Sequence, residues 1–140
     1  MSVFDGLQLL VAAGDLAGLC ELYDGDPPSL DSCSLFYVHL DERGDSVTLG
    51  FETERLPSKP PSEWRQKPFN MFEFHLVLVG VEALRVHGWG LAQAKEVGLV
   101  RRDGGRVDVT LGGAEDGIRF RASSVSLGRT RVYLAARGSE

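Results

Sequence analysis

The chain has 140 residues, 43% of them hydrophobic and 25% charged, with two cysteines and a net charge of −5. That length holds one domain with a real core, and no apolar run approaches the ~20 residues of a membrane-spanning helix. The first 42 residues contain no Lys or Arg, which argues against a secretory or transit leader and for a cytoplasmic protein. Cys20 and Cys33 show neither a CxxC pairing nor metal-ligand spacing, and read as reduced thiols.

Charge is divided along the chain. Residues 1–54 carry eleven acids against one base, Arg43, whereas residues 55–140 carry nine acids against fourteen bases. Either the two parts neutralise each other on folding, or an acidic surface steers a basic partner. Nucleic acid is excluded as a partner of the acidic part, because phosphates are repelled there.

The opening segment, residues 1–14, is apolar and its structural type stays open. Asp15 is placed to cap a short helix in which Leu16, Leu19, Cys20 and Tyr23 recur at helical spacing. Gly25 and Pro27-Pro28 end it. The period then changes to two. SLFYVHLD, Ser34 to Asp41, reads as a strand, ERGD as a turn and SVTLGFETE as the partner strand. In that partner Val47, Leu49, Phe51 and Thr53 face one way and Thr48, Glu52 and Glu54 the other. Residues 55–70 hold four of the six prolines and read as a long connection pinned by Trp64. FEFHLVLVG and ALRVHGWG then read as a hairpin turning at Gly80–Glu82. Its register sets Leu76 opposite Val86, His75 opposite His87 and Glu73 opposite Trp89. KEVGLVRRD, RVDVTL, IRFRA and SVSLGRTRVYLA follow as strands separated by glycine turns. The expected fold is α+β: a short N-terminal helix on an antiparallel, meander-like curved sheet or two-layer sandwich of about eight strands, as a single domain over 1–140.

No phosphate loop, GxSxG or HExxH signature is present. Glu73, His75 and His87 form a conceivable zinc set, but paired surface histidines are far commoner than metal ligands, so no metal or cofactor is expected. Glu52 and Glu54 lie on a wet strand face where nothing raises one pKa, so no acid–base pair and no catalytic residue is assigned. Trp89, between Gly88 and Gly90, is either core under a second layer or an interface anchor.

Three stretches carry a resemblance: DGDPPSLDSCSLFYVHLDERGDSVTLGFE, the proline-rich break, and FNMFEFHLVLVGVEALRVHGWG with its GVxxLxxxGW run. From about Leu22 to the last strands the chain resembles the immunity protein 50 family of bacterial polymorphic toxin systems. The resemblance implies a non-catalytic protein that binds and neutralises a cognate toxin. A basic nuclease is one possible toxin, which an acidic face could block by mimicking nucleic acid. The candidate contacts are Asp24, Asp26, Asp41, Glu42, Asp45, Glu52, Glu54 and Trp89. The alternative is a carbohydrate or lipid module whose pocket is lined by Tyr37, His75, His87 and Trp89. Oligomeric state is left open.

Overall fold

The structure is a computed structural model and describes residues 16–88, 96–112 and 116–136. The expected cap Asp15, the anchor Trp89 and the segment 1–14 lie outside them. Helix α1 spans Ala17–Leu22 and begins at Leu16, which provides no side-chain cap. The helical spacing holds: Leu16, Leu19 and Tyr23 are buried together. The helix stops where Gly25, in the left-handed region at φ 85°, donates its N–H to Cys20 O at 2.9 Å. That is a glycine-terminated helix end.

Eight strands follow: β1 (Ser34–Asp41), β2 (Ser46–Thr53), β3 (Met71–Val79), β4 (Glu82–His87), β5 (Val97–Arg101), β6 (Val107–Gly112), β7 (Gly117–Ala122) and β8 (Ser124–Tyr133). They form two four-stranded antiparallel sheets, ordered β1-β2-β3-β8 and β4-β7-β6-β5. The protein is thus mainly β with one short helix. The period-two alternation shows why. On β2, Val47, Leu49, Phe51 and Thr53 are buried, as are Phe72, Phe74, Leu76 and Leu78 on β3 and Val107, Val109 and Leu111 on β6. Side chains of both sheets and of α1 join one apolar cluster, and Phe51, Phe74 and Phe72 stack in series within it, with centroids 5.3 and 5.7 Å apart. The proline-rich connection is anchored as expected. Its 3-10 turn, Ser62–Gln66, sets Trp64 against Phe72 at 6.1 Å, and Lys59 N donates to Leu22 O at 2.9 Å.

The sequence of pairings corrects two expectations. The sheet is not a simple meander, and β3 and β4 are not a hairpin: β3 lies between β2 and β8, while β4 pairs with β7. Val79 opposes Ser124 and Glu82 opposes Arg121, so one antiparallel register runs from β3/β8 into β7/β4. The two segments, β3–β4 and β7–β8, form a single long ribbon that bends from one sheet into the other. The bend is at Gly80, whose φ is 69° and where a Cβ would stand 2.3 Å from Ser123 Oγ; beside it Ser123 N donates to Val79 O at 2.9 Å. Only glycine fits that backbone and that contact. A glycine between two β-prone runs reads equally as a reversal or as a corner, and the long-range partner β8 decided for the corner.

Candidate functional site

The acids singled out from sequence fall at the two ends of the β1–β2 hairpin. Ser46 to Glu52 along β2 is ~20 Å at strand rise, so they do not form one cluster.

At the helix-proximal end, Asp26 and Asp24 are engaged. Asp26 pairs with Arg55 at 2.8 Å and Asp24 with Lys59 at 3.0 Å. Glu52 accepts a short hydrogen bond from the Tyr133 hydroxyl. Glu54 is exposed beside it, on the rim of an open depression that also includes Ser32, Ser34 and Thr53.

Glu52 belongs to a larger network on the outer face of the first sheet. Glu52 sits directly across from Glu73, and Glu73 from Arg131. Two carboxylates facing each other across strands repel. Here Arg131 Nε donates to Glu73 Oε1 at 3.1 Å, His75 Nε2 lies 3.8 Å from Glu73 Oε2, and the Arg131 guanidinium stacks over the Tyr133 ring at 4.6 Å. Glu73 is only 6% exposed. Burial, with the hydrogen bond to Glu52 adding to it, pushes the Tyr133 hydroxyl up to about 12. His75 is further enclosed by Phe36 and Tyr37, edge-on at 5.9 and 5.6 Å. Gly50 makes room for them, since a Cβ there would be 2.9 Å from Tyr37 Cβ and 3.0 Å from His75 Nε2. Tyr37 and His75 therefore meet, their rings in edge contact. His87, the other expected lining residue and zinc candidate, is on β4 in the second sheet, opposite Gly117. Among the described residues no group of three His, Cys, Asp or Glu side chains is arranged to hold a metal.

The opposite end of the hairpin is different. Asp41 Oδ1 accepts the N–H groups of Arg43 and Gly44 at 3.1 and 3.4 Å, closing the turn. Glu42 and Asp45 are exposed and enter no ion pair among the described residues. Asp45 adopts φ 51°, and its carbonyl accepts Val81 N–H at 3.0 Å. That bond latches the turn to the segment leading into β4. Between them lies an open hollow of about 370 Å³, lined by Leu40, Asp41, Glu42, Asp45, Ser46, Val47, Val81 and Leu84. Its floor is apolar. Leu40 opposes Val47 on β2, and Val86, two residues from Leu84, opposes Ile118 on β7. Val47 and Ile118 are buried, yet Leu40, Leu84 and Val86 are 43%, 42% and 52% exposed. These side chains belong to the inward-facing sets of two edge strands and are left uncovered. Sequence alternation assigns Leu40 and Leu84 inward; it carries no information on which strands are edges, which is why the hollow was missed.

The second sheet's outer face is basic. Arg85 opposes Arg119 across β4 and β7. Next to them Arg102 and Arg121 bind Asp108 at 2.7 and 3.3 Å, and these hydrogen bonds hold its carboxyl below the usual carboxylate range. Both cysteines are free thiols, and burial pushes Cys33 up to about 11, far from a reactive thiolate. No helix among the described residues is long and apolar enough to cross a membrane.

The fold and this surface define a mainly β protein whose acids are partly tied into the structure and partly displayed around exposed leucines. The chain belongs to the immunity protein 50 family: the family's model matches residues 17–133. No curated protein and no solved structure matches it.

Proposed function

We propose that this protein is a cytoplasmic immunity protein that binds a cognate toxin domain and neutralises it by occlusion, without catalysis of its own. Family membership supports the class of function. The observation that carries the mechanism is that the acidic part of the chain is only partly neutralised internally: Asp24, Asp26 and Asp41 are paired, but Glu42, Asp45 and Glu54 enter no ion pair among the described residues. Exposed acids of this kind raise the encounter rate with a basic partner and lower it with phosphate. A basic toxin, such as a nuclease whose substrate cleft attracts anions, fits that surface.

The test is a pull-down of the tagged protein against the catalytically inactivated product of the neighbouring gene at low and at high salt. Tight binding that salt weakens is the expected result. A folded protein that fails to retain the toxin at either salt concentration sinks the reading.

A further inference from the structure

Resting on that reading, we infer that the hollow between the β1–β2 turn and β4 is the toxin's docking point, and that it seats an apolar toxin side chain flanked by Lys or Arg. The hollow combines the two parts of a protein interface, an apolar centre and a polar rim. Leu40 and Leu84 supply the centre, with Val81 between them. Glu42 and Asp45 supply a rim that enters no ion pair among the described residues, the one cation of the turn, Arg43, being paired with Asp41 at 3.7 Å. The rim is also held in place, because the bond from Val81 N–H to Asp45 O fixes the turn against β4. An anchor entering this space covers leucines that the protein's own sheets leave wet, and flanking cations meet the two carboxylates. A second copy of this chain is a poor occupant: a two-fold contact sets the patch against itself, acid against acid.

The other acidic end offers a built-in control. Glu54 also enters no ion pair among the described residues, but the depression beside it has a polar lining, Ser32, Ser34, Glu52, Thr53 and Arg55, with Met71 the one apolar side chain among the described residues that line it.

The experiment uses the full chain and the inactivated toxin, with dissociation constants and association rates measured against salt, and the melting temperature of each free variant. Leu84→Asp should weaken binding by ~30-fold or more while costing the free protein no more than the few degrees of melting temperature that losing a half-buried leucine entails. The double variant Glu42→Gln/Asp45→Asn should slow association several-fold at low salt and leave it unchanged at high salt. Glu54→Gln should do neither. If wild type binds but Leu84→Asp and the rim variant bind equally well, the toxin docks elsewhere and the inference falls while the immunity reading stands. A drop in the free melting temperature of Leu84→Asp as large as a fully buried leucine would give, on the order of 10 °C, shows the hollow filled from within the chain, and overturns the inference too. Should Leu84→Asp not fold, the rim variant alone decides, both its positions being exposed. Failure of wild type to bind overturns the immunity reading itself.

Discussion

Two sets of carboxylates on the same hairpin are put to opposite uses. Glu52, with Glu73 beside it on β3, is woven into the outer face of the first sheet by Tyr133, Arg131 and His75. Glu42 and Asp45, at the far end of the hairpin, enter no side-chain ion pair among the described residues and border exposed leucines. The contrast shows that an acidic residue's role follows from what lies across the strand from it. Where a neighbouring strand continues and brings an arginine and a tyrosine, the acid becomes structure. In a turn beyond the paired residues it stays available.

Breaking the first set should affect folding and not recognition. Glu73→Ala removes a buried acceptor from Arg131 and should cost ~1–3 kcal/mol in denaturant unfolding, with toxin affinity unchanged. Gly50→Ala should cost a comparable ~1–3 kcal/mol, because a methyl group collides with Tyr37 and His75. Tyr133→Phe should lose less, ~0.5–1.5 kcal/mol, since one hydrogen bond goes while the ring and the Arg131 stack remain.

The same tyrosine sharpens the comparison through pH. Its folded pKa, about 12, lies above the ordinary value of 10.0, so the folded state holds the phenolic proton more tightly. The associated stability is fully present below pH ~10 and is lost as pH rises from there through the folded value. Burial raises Tyr23 still further, so an ultraviolet phenolate titration should show two tyrosines ionising late, and Tyr133→Phe should lose the earlier of those two steps. The smallest effect is expected at the other set: Asp45→Asn should change stability by no more than ~0.5 kcal/mol, because Asn also tolerates the left-handed backbone at that position. Its consequence should appear in toxin association instead.

Much of the fold could be read from local pattern. The hairpin's β1 boundaries, the buried face of β2, the burial of Leu16, Leu19 and Tyr23, and the Trp64 anchor all follow from periodicity and proline placement. What could not be read was whatever depends on distant partners. Gly80 looked like a hairpin turn because the residues on both sides alternate correctly for one; the corner requires β8, some fifty residues later in the chain, and no local signal announces it. The candidate site divided in the same way. The acids were found by charge, and Asp24 and Asp26 proved to be tied to Lys59 and Arg55. The hydrophobic floor beneath Glu42 and Asp45 escaped notice, because edge position is a property of the sheet and not of the strand.

The bent ribbon also sets an order on synthesis. In a chain emerging from the ribosome, β1, β2 and β3 can pair early, but β3 keeps one edge open until β8, the last strand described, has been made. The same late segment, β7 with β8, supplies the partners for both β3 and β4. Loop closure over that separation comes before any of those contacts can form. A nascent or truncated chain lacking β7 and β8 therefore displays a raw, apolar strand edge of the kind that recruits other strands. Protection begins only once β7 and β8 have left the ribosome.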